Sequence, residues 1–470
     1  MKRVAITGAS GFVGRALTAA LVQRGYGVIA LGRDPDALQG DDAIEPRRFD
    51  GDDAGPNPDA FAGADAVVHL AGESVSGRWT AAKKRAIYKS RVAGTRLLVR
   101  SLALCHEKPA VLVSASAVGY YGSRGDQALF ESAPPGSGFL ADVCKDWERE
   151  ASAAEPLGIR TIRMRTGIVL ANGGALEAMI PPFRFGGGGP LGSGRQFFPW
   201  IALDDLVALY IFALEREDLS GAVNAVTPDY ATSARVANAI GSALRRPALA
   251  PAPAFALRAL LGEFAHTLLA SQLVIPAVAE DRGFSWQHPT LEAALLAILA
   301  PAAQRSPVVR TFDAEQYIAA PLQDVFAFFA EARNLETITP PALRFAIDSI
   351  PQHLERGAQI AYHLRLHRFP LRWRTMIARW NPPHEFVDVQ LHGPYSLWRH
   401  THRFRAVDGG TVATDHVDYG LPLWPAGNIA LRLVESDVRR IFAYRRTAIG
   451  RAFDHPDGNA AVTRGMGAHG

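Results

Sequence analysis

Residues Val4-Ala5-Ile6-Thr7-Gly8-Ala9-Ser10-Gly11-Phe12-Val13-Gly14 run a short apolar strand directly into Gly-x-x-Gly-x-x-Gly. A helical pattern follows at once, with apolar Phe12, Val13, Ala16, Leu17, Ala20 and Leu21. Each glycine has a physical task. Gly8 allows the tight turn out of the strand. Gly11 has no Cβ to keep a pyrophosphate away from the backbone. Gly14 lets the helix lie close to the strand. Phosphates would then meet the free N–H groups of the helix N-terminus, along the loop of Ser10, Phe12 and Val13. A glycine triplet alone is weak, but strand before and helix after form the context a dinucleotide site needs.

A chain of 470 residues exceeds one ordinary domain, so two or three are expected. Its 50 basic and 46 acidic residues nearly balance and are scattered. The densest basic run, Lys83-Lys84-Arg85, reads as a solvated helix face, and no nucleic-acid footprint is expected. Two cysteines, Cys105 and Cys144, make no disulfide framework, so a reducing cytoplasm is the simpler reading. Met1-Lys2-Arg3 superficially resembles a signal n-region, but glycines, Thr7 and Ser10 interrupt the apolar run behind it. The longest apolar region, 254–279, contains Arg258, Glu263 and His266. It predicts an amphipathic helix rather than a membrane span.

Strand and helix patterns alternate from residue 1 to about 170. Strands are predicted at 28–31, 66–70, 110–114 and around 161–163, and helices at 81–102 and 140–154. This is a doubly wound parallel α/β sheet. Residues 171–300 are mixed and complete a first domain of residues 1–300. Their glycine-rich stretch from Phe185 to Gly194 lacks a following Gly-Lys-Ser/Thr, so it predicts a mobile substrate loop rather than a second phosphate loop. Residues 301–307 read as a linker. After it the period changes: a short helix at 321–332, alternating stretches at 360–366, 387–391 and 398–404, and a long helix at 428–453 with Leu431, Val434, Val438, Ile441 and Ala448 on one stripe. That is an α+β domain over 308–455. The tail, 456–470, is expected to be disordered.

The second strand ends Leu31-Gly32-Arg33-Asp34. An acid there bonds a ribose 2′-hydroxyl, whereas an arginine pairs with a 2′-phosphate. Arg33 therefore points to NADP(H), and Asp34 beside it leaves NAD(H) open.

Thr7-Gly8-x-x-Gly11-x-x-Gly14, then Asp65-Ala66-Val67-Val68-His69-Leu70-Ala71-Gly72, then Ser116-Ala117-Val118-Gly119-Tyr120-Tyr121-Gly122, resemble an extended short-chain dehydrogenase/reductase. More narrowly, residues 1–300 resemble the YfcH-like epimerase family. The narrower likeness rests on Gly72-Glu73-Ser74, Ser90-Arg91, the run from Phe139 to Glu148, Gly189 to Gln196, Trp200 to Asp205, and the run from Gly283 to Leu295. The resemblance implies that Leu70, Ala71, Gly72, Glu73 and Ser114 line the cofactor site. It also implies a serine that polarises the substrate carbonyl, matched by Ser116, and a lysine that holds the ribose, matched by Lys145. The broader superfamily's proton-transferring tyrosine falls on Ala141, which can donate nothing.

Three readings follow. Another group donates: Tyr120, Tyr121, Glu73 or a water held by Ser116. Or the reaction needs no strong acid. Or the domain binds NADP(H) and does no chemistry. A positioned proton donor contributes a factor of about 10²–10⁴, so its loss slows a reaction without abolishing hydride transfer. Plainer roles stand beside these. Tyr120 and Tyr121 suit loop packing, Ser116 suits the strand end, and Lys145 suits a helical pair with Asp142 or Asp146. Arg195, Gln196 and Trp200 either line a substrate pocket, with the arginine on a carboxylate or phosphate, or are structural. Asp204-Asp205 is expected to cap a helix at 206–214.

Tyr317-Ile318-x-Ala320-Pro321-x-x-x-Val325-Phe326, Asn334-Leu335-x-x-Ile338-Thr339-Pro340-Pro341, the alternating strands and the long last helix resemble the START/Bet v 1-like helix-grip superfamily (SRPBCC). The resemblance implies a sheet curled around a helix, with an apolar ligand in a cavity that Tyr362, Trp373, Trp398, Phe404 and Tyr419 either line or fill. His400 and His402 share one strand face, but no third ligand is evident beside them, so no metal is expected. His363 and His367 suggest nothing, and no hydrolase or zinc motif is present.

The sequence thus reads as an NADP(H)-dependent oxidoreductase or epimerase for a small hydroxyl or carbonyl compound, fused to an apolar-ligand module. The alternative is a non-catalytic NADP(H)-binding sensor or scaffold. A homodimer is left open.

Overall fold

A computed structural model describes residues 2–35, 42–51, 55–299, 310–366, 369–395, 397–421 and 427–454. The chain forms two compact units, Met1–Gln304 and Arg305–Gly470. The expected linker at 301–307 and tail at 456–470 lie outside the described residues, as does His367.

The first unit is built on seven parallel strands: β1 (Arg3–Thr7), β2 (Gly27–Gly32), β3 (Ile44–Arg48), β4 (Ala66–His69), β5 (Val111–Ala117), β6 (Arg160–Thr166) and β7 (Gly221–Ala225). Their order is β7-β6-β5-β4-β1-β2-β3. The order reverses between β1 and β4, and such a reversal opens a crevice at the carboxyl ends of the strands. Val4, Ala5 and Ile6 are all buried because helices cover both faces of the sheet. The covering helices include α1 (Phe12–Gln23), α2 (Ala81–Tyr88), α3 (Gly94–Leu104), α4 (Phe139–Ser152) and α5 (Leu203–Glu215).

Several expectations change. The helix read at 81–102 is two helices joined by a π-turn, Lys89–Ala93. The helix read across 254–279 is broken into Ala254–Leu261, Phe264–Leu269 and Ala277–Asp281, with a short strand, Leu273–Val274, between the last two. Gly262 has φ +61° and Pro276 precedes the last piece, so neither junction can stay helical. The glycine-rich stretch read as a mobile loop is backbone-bonded along its length. Ala250 N–H donates to Gly188 O (3.1 Å), Ala252 N–H to Pro190 O (2.9 Å) and Gly192 N–H to Ala252 O (2.9 Å). A Cβ on Gly189 would collide with Ala250, so these glycines serve close backbone approach.

An ionic trio centred on the buried Asp229 joins the end of this unit to its middle. Arg235 hydrogen-bonds both oxygens of Asp229, and its Nε and Nη2 meet Glu292 at 2.9 and 2.7 Å. Asp229 Oδ2 also accepts from Leu291 N–H at 2.7 Å, and its carbonyl accepts from the Trp200 indole at 2.9 Å.

The second unit is an antiparallel sheet of β8 (Arg310–Ile318), β9 (Ala346–Ser349), β10 (Gln359–Leu366), β11 (Phe369–Asn381), β12 (Glu385–His392), β13 (Leu397–Val407) and β14 (Gly410–Gly420). The order is β8-β14-β13-β12-β11-β10-β9. Two helices, α6 (Leu322–Ala330) and the long α7 (Gly427–Asp454), supply apolar cover. Phe328 meets Phe453 (5.2 Å) and Phe312 meets Phe442 (4.7 Å) between ring centroids.

Candidate functional site

The first unit presents a glycine cradle where β1 enters α1. Gly8 has φ +73°, and a Cβ there would stand 2.9 Å from Ala71 N. A Cβ on Gly14 would stand 2.8 Å from Ala9 Cα. No side chain caps α1 and no acid occupies its first turn, so its leading N–H groups and positive dipole end face an incoming anion unopposed. Ser10 and Gly11 are exposed there, and Phe12 and Val13 half-buried. These are the features a pyrophosphate requires. Arg33, exposed at the end of β2, offers its guanidinium at the crevice edge.

The opposite wall is the loop after β4, Leu70-Ala71-Gly72-Glu73. Thr7 Oγ1 accepts from Leu70 N–H (3.2 Å) and Ala71 N–H (3.3 Å). Beneath it His69 bridges Thr7 Oγ1 (2.6 Å) and Thr95 Oγ1 (2.9 Å). Burial lowers the pKa of His69 to about 4, so the ring is neutral. The π-turn holds the far end of the loop: Ser90 Oγ accepts from Glu73 N–H (3.0 Å), and Arg91 donates to Glu73 O (2.8 Å). The Glu73 side chain meets Lys83 at 2.6 Å, which lowers its pKa and keeps it ionised. That disfavours it as the proton donor.

Ser116, one residue before the end of β5, is buried. Its hydroxyl donates to Glu148 Oε1 at 2.7 Å. Glu148 takes both arms of Arg165, each at 2.8 Å. Arg165 in turn donates to Tyr121 Oη (2.9 Å), and Tyr121 donates to Asn224 Oδ1 (2.6 Å). The same guanidinium lies 3.6 Å from the Tyr120 ring centroid. Tyr121 is fully buried, and burial pushes its phenol pKa up. The expectation that Tyr121 donates a proton is corrected: it is a fixed core residue. Tyr120, half-buried, keeps a free face.

Lys145 is half-exposed and 3.4 Å from Asp142, the plain helical pair. Ala141, at the broader superfamily's tyrosine position, is buried. Ser114 is also buried, with its hydroxyl on the Ala115 carbonyl (3.2 Å). Two substrate-pocket expectations are corrected too. Trp200 is fully buried in a core cluster, and Gln196 is buried with its amide on Leu191 O (2.9 Å). Arg195 is exposed. Asp205 does not cap its own helix. It accepts from Gln287 and His288 N–H (2.6 and 3.1 Å), and α5 begins earlier, at Leu203.

Glu148, His69 and Arg91 stand within the motif runs but were given no role there, and Arg165 lies outside them. Glu148 follows Lys145 by three positions, hence on the same helical face. The other three take their meaning from partners far away in sequence.

The second unit encloses a cavity of about 170 Å³. Tyr362, Trp373 and Trp398 line it, with Phe329, Ile377 and Phe442. Phe404 and Tyr419 do not: they are buried in core clusters. Asp388, His400, His402 and Arg445 lie on its wall. The third group that the sequence did not reveal beside the two histidines is Asp388, paired across the sheet with His400. His363 is bonded to Asp348 (2.7 Å).

A parallel sheet with a glycine turn at its order reversal defines a Rossmann-type α/β protein. The model of the NAD dependent epimerase/dehydratase family matches residues 4–225, and that of a domain of unknown function, DUF1731, matches 252–298. An epimerase family protein of Mycobacterium bovis is 40% identical over 295 residues, covering 62% of this chain and 96% of the relative. The human epimerase family protein SDR39U1 is 35% identical over 304 residues, covering 63% and 100%. A crystal structure of human SDR39U1 with NADPH aligns with TM-score 0.56 at 34% identity, over 63% of this chain and 99% of that one. The chain belongs to the epimerase family of the SDR39U1 type.

Proposed function

We propose that the first unit is an NADP(H)-dependent oxidoreductase or epimerase acting on a small hydroxyl or carbonyl compound. The observation that carries this is the uncapped α1 N-terminus, set against β1 by a tight turn in which neither Gly8 nor Gly14 has room for a Cβ. The NADPH in the human relative's structure and the position of Arg33 support the phosphorylated cofactor over NAD(H). When bound, the nicotinamide supplies the hydride donor or acceptor. In this reading α1 and the Leu70–Glu73 loop seat the cofactor, Lys145 holds its ribose, and Ser116, whose own hydrogen goes to Glu148, accepts a hydrogen bond from the substrate hydroxyl. Calorimetric titration with NADPH and NADH tests the cofactor. Arg33→Ala should weaken NADPH about tenfold or more and leave NADH unchanged; equal losses for both would remove Arg33 from the 2′-phosphate. Ser116→Ala should keep NADPH affinity and abolish turnover; unchanged turnover would exclude Ser116.

A second reading, a non-catalytic NADP(H)-binding sensor or scaffold, is favoured by one observation. Ala141 stands where the broader short-chain dehydrogenase/reductase superfamily has its tyrosine and is buried, so no side chain stands in for it on α4. Failure to exchange the nicotinamide hydride with any carbonyl in a substrate screen, despite tight NADPH binding, would favour it.

For the second unit we propose an SRPBCC helix-grip module that binds a small apolar molecule. A cavity of about 170 Å³ is close to engineered cavities of about 150 Å³ that admit benzene, so the cargo is of single-ring size. The cytoplasmic placement stands on two cysteines that are free and buried. No helix among the described residues is long and apolar enough to cross a membrane.

A further inference from the structure

His400 and His402 lie two apart on β13, so both side chains leave the same face of the sheet. The register sets Asp388 of β12 opposite His400, and Asp415 of β14 opposite His402. Four chemically active side chains therefore converge, three of them, Asp388, His400 and His402, on the cavity wall. Both histidines are buried, and their ring centroids are 3.7 Å apart.

The hydrogen-bond inventory does not close. A neutral imidazole has one N–H and one lone pair. His400 Nε2 lies 2.8 Å from Asp415 Oδ1, so it carries the hydrogen, and the Nδ1 lone pair points toward Asp388 Oδ1 at 3.6 Å. His402 has Nε2 3.1 Å from Asp388 Oδ1 and Nδ1 2.9 Å from Asp415 Oδ1, the latter without hydrogen-bond geometry. Either neutral tautomer of His402 leaves a lone pair against a carboxylate oxygen. A buried acceptor facing another acceptor is costly, and a cation between them removes the conflict.

We propose that Asp388, His400 and His402 bind a divalent transition-metal ion at the wall of this cavity. The ligand atoms are an Asp388 carboxylate oxygen, His400 Nδ1 and His402 Nε2. Among the described residues these three make a group whose candidate ligand atoms all lie within 4.8 Å of one another. Ligands about 2.0–2.2 Å from one ion stand roughly 3–3.5 Å apart, close to the spacings present. Asp415 completes the arrangement. It hydrogen-bonds the outer nitrogen of His400, where a carboxylate fixes the tautomer and aims the inner nitrogen at a metal, and lies 2.9 Å from the outer nitrogen of His402. Arg445, 3.9 Å from Asp415, balances that outer charge and leaves Asp388 to the ion. Two imidazoles and one carboxylate form a donor set suited to Zn(II) or Fe(II), with remaining positions open to the cavity.

The full-length chain, stripped with a chelator and titrated with Co(II), tests the site. The expected result is one equivalent bound, with visible d–d absorption of a nitrogen/oxygen site. His402→Gln should abolish that equivalent. Asp415→Asn should keep the stoichiometry and weaken affinity about 10–100-fold. If His402→Gln does not fold, X-ray absorption of the Co(II)-loaded native chain decides: two imidazole ligands support the site. No stoichiometric binding, binding unchanged in a folded His402→Gln, or a coordination shell without imidazole would each overturn the proposal.

Discussion

His69 is held neutral by its surroundings, with Thr7 and Thr95 at its two nitrogens. Its folded-state pKa, about 4, lies below the ordinary 6.5, so the unfolded chain takes up this proton first as pH falls. Its contribution to stability is therefore complete above about pH 6.5 and is lost progressively toward pH 4. Urea unfolding of the first unit should show that slope, and His69→Gln should flatten it across the same window. Glu148 and Arg165 belong to the other residue-scale device, a buried bidentate pair. Removing one partner strands the other charge, so Glu148→Ala should destabilise the first unit by about 3–5 kcal/mol, read from denaturant midpoints. A loss below about 1 kcal/mol would show that water replaces the pair. Ser116 and Lys145 were legible because they sit within motif runs. The acceptor of the Ser116 proton was not, since nothing local to β5 reveals which face of α4 it meets.

At the scale of elements, the β1–α1 turn was readable in full: apolar strand, three spaced glycines and a helical stripe all lie within 23 residues. Its backbone geometry predicts its tolerance. Gly14→Ala would drive a Cβ into Ala9, so it should cost about 1–3 kcal/mol and lower NADPH affinity in the same titration. Unimpaired binding in a folded variant would show that α1 can lean away. The π-turn was not legible, because Lys89–Ala93 continues a helical pattern of apolar residues on both sides. It shifts the register so that Arg91 reaches back to Glu73 O. Arg91→Lys keeps the charge but loses the planar fork, and hydrogen exchange of residues 70–74 should rise. Edge strand β3 escaped the reading for a simpler reason. Ile44-Glu45-Pro46-Arg47-Arg48 has no apolar alternation, and its proline and charges suit an edge that must not pair further.

At the scale of the whole molecule, the two units carry separate cores and separate candidate sites. Calorimetry of the intact chain should therefore show NADPH raising the transition of the first unit alone. The increment is about 2.7 kcal/mol at a hundredfold excess over Kd. An equal shift of both transitions would mean that they unfold as one body. The change of period after residue 308 announced the second unit. The cluster on its cavity wall was hidden because its members come from three different strands, aligned only by register. The trio of Asp229, Arg235 and Glu292 has an evolutionary corollary. Its arginine and first acid precede the stretch matched by the second family model, while Glu292 lies inside it. A graft of 252–298 from a relative without an acid at that position would leave half of the Arg235 fork unmatched beside the buried Asp229. The two stretches should therefore have been inherited as a single piece, changing together or not at all.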